Sequence, residues 1–221
     1  MKFKNYKQSL RKIYSLLLHS IFLVMEKIIS YPISVIYYLC FGLTLVIFHP
    51  IQWVCFNVFG YQAHKKSVDY LNFWLTKCTN ILGTTYSFEN KDSIPKGVPI
   101  IFVANHQSLY DIIGIIWYLR RFHAKFVSKK ELGKGIPSVS YNLRHGGSIL
   151  IDRKDPKQAI PLIKGLSEYI EKNNRSAVIF PEGTRNKTDN PVSTFKEGAK
   201  LIALKNRINI LPVFIKTNAN H

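Results

Sequence analysis

A chain of 221 residues leaves room for one compact domain and an appendage, and its 31 Lys+Arg against 13 Asp+Glu, net +18, calls for an anionic partner. Three cysteines, Cys40, Cys55 and Cys78, form an odd set without CxxC spacing; this excludes a disulfide framework and a cysteine zinc site and reads as thiols in a reducing compartment. No Walker loop, GxGxxG, HExxH or RNP-type aromatic strand is present, so no metal is expected and nucleic acid is not the expected partner.

The N-terminal third is the most apolar. From Ile28 to Ala63 there is no Lys, Arg, Asp or Glu, and the preceding Leu10 to Ile29 is itself mostly apolar. The uncharged run exceeds the ~20 residues of one membrane span and falls short of two. It is too long for a cleavable signal peptide. Pro32, Gly42, Pro50 and Gly60 are expected to break it into pieces. Basic residues flank both ends, Lys2, Lys4, Lys7, Arg11 and Lys12 before and Lys65 and Lys66 after, so a single span would put one cluster on the wrong side. A helical hairpin, or in preference two helices embedded in one leaflet with both ends cytoplasmic, satisfies both clusters, with Tyr31, Tyr37, Tyr38 and Trp53 suited to the headgroup layer. The expected division is residues 1–62 for membrane association and 63–221 for a second domain.

After Gly83 the texture changes. Strand-like runs TTYSF (84–88), PIIFVA (99–104), AKFVS (124–128), SILID (148–152), AVIFP (177–181) and NILPVFI (209–215) alternate with helical stretches. The helical stretches are DIIGIIWYLRR, KELGKGIPSVSYNLRH, PKQAIPLIKGLSEYIEKN and FKEGAKLIALKNR. This βαβα rhythm predicts an α/β fold with a mostly parallel sheet flanked by helices.

Three strands end by placing ionisable groups at one sheet edge, where ligands bind in open α/β folds: His106 and Asp111, Asp152 and Arg153, Glu182 and Arg185. Each has a plain alternative. Ser108-Leu109-Tyr110-Asp111 fits a capping box, Asp152-Arg153 an exposed loop pair, and Gly183 a tight turn. What those alternatives do not predict is all three at sheet ends of one polarity.

Taken in order and spacing, NHQSLYD, GSILIDR, FPEGTR and the LPV of NILPVFI resemble the four blocks of the glycerolipid acyltransferases, and among these the bacterial 1-acylglycerol-3-phosphate (lysophosphatidate) acyltransferases. The likeness covers about Phe88 to Ile215, with SKKEL and FKEGA as weaker features and the apolar N-terminal helices similar to a membrane-binding pair. The chain ends soon after the fourth block, where relatives usually continue, so it reads as a short form or a truncated one.

The resemblance implies transfer of a fatty acyl group from an acyl carrier protein or coenzyme A thioester to lysophosphatidate at a membrane, with no bound cofactor. His106 would be the general base and Asp111 its orienting carboxylate, provided His106 lies in the loop and folds back over the first helical turn. Arg153 and Arg185, with Lys129 as a weaker third, would hold the acceptor phosphate. Glu182, Gly183 and Thr184 would meet its glycerol, and Asn105 would stabilise an oxyanion or serve the structure. Leu211, Pro212 and Val213 would line an acyl pocket or simply pack in the core. Other acceptors, glycerol-3-phosphate or another lysolipid, stay open. So does a non-catalytic basic lipid-binding protein, although a binder has no need of a base–carboxylate pair.

Overall fold

The structure, a computed structural model, describes residues 2–152, 155–186, 188, 190, 192–196 and 208–216, with side chains from residue 14 onward except at 156. Helix α1, Lys2–Phe59, runs unbroken through Pro32 and Pro50. The expectation that these prolines and Gly42 would divide it is therefore corrected. Each proline withdraws one N–H from the ladder, and the flanking turns hold the helix across the loss. The chain breaks only at Gly60, whose φ of 80° with ψ of −175° is a conformation open to glycine almost alone.

Beyond that break α2, Tyr61–Thr79, buries His64, Val68, Leu71 and Leu75 on one stripe. The helical pair is thus α1 with an amphipathic α2, and the two differ in kind. In α1 the stretch Tyr14–Phe59 holds an 18-residue window of mean hydropathy 1.9 that is almost wholly free of buried residues, with Leu18, Phe22, Ile28, Leu39 and Phe59 among the outward side chains of the helix.

Five strands follow: β1 Ile100–Ala104, β2 Lys125–Lys129, β3 Ile149–Ile151, β4 Ala177–Ile179 and β5 Asn209–Val213. They form one parallel sheet in the order β3-β2-β4-β1-β5. Between them lie α3 Asp111–Tyr118, α4 Val139–His145 and α5 Pro156–Lys172. Helix α5 begins as its sequence suggests, with Asp155 accepting from the N–H groups of Lys157 and Gln158 and a proline at its first position.

Alternation in the central strands explains why IIFVA reads as a continuous apolar run. Ile100, Phe102 and Ala104 face Ile115 of α3 and Leu119 just beyond it, while Ile101 and Val103 face Leu166 and Ile170 of α5. Both faces of the sheet are covered, as parallel sheets require. TTYSF (84–88) is not a strand: it lies outside the sheet, where Tyr86 bonds the Tyr110 carbonyl and packs beside Leu71, Leu75 and Ile113. A β-rich run has been used there as packing material, not as a ladder. The helix expected over FKEGAKLIALKNR falls almost wholly outside the described residues.

Candidate active site

Because every strand points the same way, the exits of β1, β2, β3 and β4 share one edge, and the site is built there. After β1 the chain turns through Asn105 and His106 before α3 begins. His106 Nδ1 lies 2.9 Å from Asp111 Oδ2, and that same oxygen accepts from the N–H groups of Gln107 and Ser108, both at 2.8 Å. The Ser108 hydroxyl accepts from Tyr110 N. The capping box and the His–Asp pair are therefore one arrangement: the carboxylate that reaches back to the helix start also fixes the imidazole.

With Nδ1 tied to a carboxylate, Nδ1 carries the proton and Nε2 is the ring nitrogen that can accept one. Nε2 has no hydrogen-bond partner among the described residues. The ring lies nearly parallel to Phe180, centroids 4.2 Å apart. Side-chain exposure is 12% for His106 and 5% for Asp111, so the pair is shielded but reachable.

The loop after β4 is stitched to this pair. Glu182, 4% exposed, accepts from His106 N at 2.8 Å through Oε1 and from Ser193 N at 3.2 Å through Oε2. Asn186 N donates to the His106 carbonyl at 2.7 Å. Gly183 has φ of 69°, the left-handed region that favours glycine, and a Cβ there would stand 3.1 Å from Lys196 Nζ. Thr184 and Arg185 are exposed, and the Arg185 guanidinium has no partner among the described residues. A free cation thus sits one residue from the backbone bond to His106.

The other sequence candidates spread along the same edge. Lys129 ends β2 and is exposed, with β4 between it and β1. Arg153 lies outside the described residues. Asn105 is engaged by the fold: its amide exchanges two hydrogen bonds with the Ile215 backbone, at 2.9 and 2.6 Å, joining the exits of β1 and β5. Leu211 and Val213 pack against the core beside β1, and Pro212 is exposed on edge strand β5, where a missing N–H costs no ladder bond.

Sequence reasoning missed four contributors: Phe180, Ser193, Lys196 and Tyr110. Phe180 and Lys196 sit inside runs already singled out, AVIFP and FKEGA, but nothing local marked their side chains. Tyr110 meets Tyr37 of α1 edge to face at 6.0 Å. Tyr37 is 2% exposed, so its expected place in a headgroup layer is corrected: it docks α1 onto the His106 loop, whereas Tyr31, Tyr38 and Trp53 do face outward. Among the described residues no cluster of His, Cys, Asp and Glu fits a metal ion.

Residues 85–216 match the Acyltransferase family, and the chain belongs to it. The 1-acyl-sn-glycerol-3-phosphate acyltransferase of Helicobacter pylori is 42% identical over 135 residues, covering 60% of this chain and 54% of that protein. Its counterpart in Saccharomyces cerevisiae is 30% identical over 140 residues, 63% of this chain and 45% of that one. The chain spans about half the length of these relatives. The crystal structure of the 1-acyl-sn-glycerophosphate (LPA) acyltransferase PlsC from Thermotoga maritima is similar over 84% of this chain and 73% of that one, with a TM-score of 0.68 and 26% identity.

Proposed function

We propose that the chain acylates the sn-2 hydroxyl of lysophosphatidate, giving phosphatidate, with an acyl carrier protein or coenzyme A thioester as donor. The observation that carries this reading is the His106 ring, held by Asp111 through Nδ1 and leaving Nε2 to meet a substrate. Nε2 takes the hydroxyl proton as the oxygen attacks the thioester carbonyl. Asp111 stabilises the imidazolium, and the tetrahedral intermediate collapses with the C–S bond breaking. The proton then passes from His106 to the departing thiolate. General-base assistance of this kind contributes roughly 10²–10⁴-fold.

Arg185 holds the acceptor phosphate as a bidentate donor, and Arg153 and Lys129 assist it. The names of the relatives and of the similar crystal structure support this acceptor. Membrane association supports it too, because the acceptor lives in a bilayer. The Tyr14–Phe59 stretch, 46 residues, is about 69 Å long at 1.5 Å per residue, roughly twice the ~30 Å hydrocarbon core. A helix of that length does not fit upright across one bilayer. We infer that it lies obliquely in the cytoplasmic leaflet and brings the His106 loop, through Tyr37 and Tyr110, to the lipid surface.

The test is transfer by the full-length protein in vesicles, with lysophosphatidate, glycerol-3-phosphate and a lysolipid lacking a phosphomonoester as acceptors and both thioester classes as donors. His106→Ala is expected to lose transfer while keeping its unfolding midpoint. Arg185→Ala is expected to raise KM for lysophosphatidate roughly ten- to hundredfold, the scale of a lost charge-assisted bond. Equal use of an acceptor without the phosphate by the unmodified protein would overturn the assignment.

A further inference from the structure

At the sheet edge opposite His106 lies a second constellation. Tyr61, His64 and Lys65 of α2, Arg120 and His123 of the connection after α3, and Lys125 at the start of β2 line a cavity of about 40 Å³. A water needs ~10–15 Å³ by this measure, so the space admits a few waters or the oxygens of one phosphate group. We propose that this cavity is a phosphate-binding site, distinct from the one proposed at Arg185.

The charges there do not balance. Lys65 is ion-paired with Asp69. Lys125 is only 5% exposed, and its ammonium donates to a single neutral group, the Tyr61 hydroxyl, among the described residues. An ammonium has three protons to give, and the Asp69 carboxylate that also lines the cavity is shared among Lys65, Arg120 and Lys125, so negative charge is short there. Arg175 adds a further positive charge, its guanidinium 4.2 Å from the centre of the Tyr61 ring. His64 is 1% exposed, and its ring nitrogens make no well-formed hydrogen bond, with the Gln52 backbone and the Asn142 side chain as their polar neighbours. A phosphate supplies both missing things at once, negative charge and several acceptor oxygens.

The titration behaviour agrees with that geometry. Burial, then the charges of Arg175 and Lys65, pushes Lys125 down to about 7 against the opposing pull of Asp69, and burial, then the charges of Lys125, Arg175 and Lys65, pushes His123 down to about 3. These are the marks of a pocket whose cations outnumber the Asp69 carboxylate among them.

Position favours a lipid headgroup over a free ion. The pocket opens one residue beyond Gly60, next to Val58 and Phe59, which are 66% and 70% exposed at the end of the apolar helix. If that helix lies in the leaflet, as the proposed function has it, Tyr61 sits at headgroup depth.

The experiment uses the full chain in detergent micelles, titrated with inorganic phosphate against chloride at matched ionic strength, reading the unfolding midpoint and the ³¹P line width. A saturable midpoint rise and line broadening beyond chloride are expected. Lys125→Met should weaken binding roughly ten- to hundredfold. Arg120→Gln, at a more open position, should weaken it as well and serves if the first variant folds poorly. Arg185→Ala should keep the part of the response that Lys125→Met and Arg120→Gln remove, which separates this site from the acceptor site. The proposal is overturned if phosphate acts no differently from chloride. It is equally overturned if the response of Arg185→Ala survives the further change of Lys125→Met or Arg120→Gln, or if Arg185→Ala alone abolishes it. Nanodiscs of phosphatidylcholine with and without phosphatidate identify the source. A midpoint rise with phosphatidate that makes added phosphate ineffective assigns the headgroup; a phosphate response unchanged by phosphatidate assigns the free ion.

Discussion

One oxygen, Asp111 Oδ2, accepts from His106 Nδ1 and from two backbone N–H groups, so it joins the proposed chemistry to the helix start. An amide keeps an acceptor there but loses the charge that favours the imidazolium. Asp111→Asn should therefore keep the fold and lose transfer by roughly 10²–10⁴-fold, the scale of the general-base contribution. Comparing kcat with the unfolding midpoint checks this, and near-full activity would reduce Asp111 to a cap. Glu182 poses a sharper question. The FPEGTR resemblance makes it a partner of the acceptor glycerol, yet both its oxygens are taken by the N–H groups of His106 and Ser193. Glu182→Gln leaves one of these donors facing an amide N–H₂, at a cost of ~1–3 kcal/mol where it is the shielded His106 N–H and less where it is that of exposed Ser193. If the backbone contact is its work, the midpoint and kcat fall together while acceptor KM stays within a few-fold. A large KM increase with an unchanged midpoint would return it to the glycerol. The His–Asp pair was legible because spacing and capping chemistry both point at it. The engagement of Glu182 and Asn105 with backbone was not, since nothing local says that residues 106 and 193, or 105 and 215, are neighbours.

At the scale of elements, the alternation of β1 and the caps of α3 and α5 are local facts and could be read directly. The prolines of α1 could not. Proline is read as a breaker because of its cost in an ordinary helix, yet Pro32 and Pro50 stay inside a 58-residue one. TTYSF misled for a related reason: its β-branched and aromatic residues suit a half-buried surface, and Tyr86 found one on α3 without a strand neighbour. Gly60 alone ends α1, and it can be tested by itself. A Cβ there meets nothing within 4 Å, so Gly60→Ala carries only the backbone cost of φ near 80°. That cost is on the order of 1–3 kcal/mol. A lower unfolding midpoint in micelles is expected, with activity per folded molecule retained. An unchanged midpoint would mean that the turn between α1 and α2 is not held at that angle in solution. Removing α1 entirely is a different matter. It packs through Phe41, Leu45 and Phe48 on Leu71 and Leu75, and its Leu45 carbonyl accepts from the Ser138 hydroxyl. Deletion of residues 1–59 should therefore destabilise the sheet domain as well as release it from membranes.

Across the whole molecule the net charge of +18 is not spread evenly in its effects, because a few cations are buried together where solvent cannot screen them. Lys125 sits near 7 in the folded protein and near ~10.4 in an unfolded chain. Between those values the unfolded state binds more protons than the folded one, so stability rises with pH there. His123, near 3 when folded and ~6.5 unfolded, acts with the same sign at lower pH, so acidification through 6 destabilises. Asp69 and Cys78 are both raised by burial. They act with the opposite sign, the carboxyl in the acid range and the thiol above its unfolded value of ~8.5. His64, also lowered by burial, acts as His123 does, so the clean window is about pH 7.5 to 8.5. There the unfolding midpoint of the full chain in micelles should climb with pH, at a slope approaching ~1.4 kcal/mol per unit for one differing proton. Lys125→Met should flatten that climb and, having removed a poorly compensated buried charge, should be more stable than the unmodified protein at pH 7. Saturating phosphate should flatten it too, by keeping the ammonium charged and paired. A climb that persists in Lys125→Met would place its origin in another group and leave the basic pocket without a measurable titration.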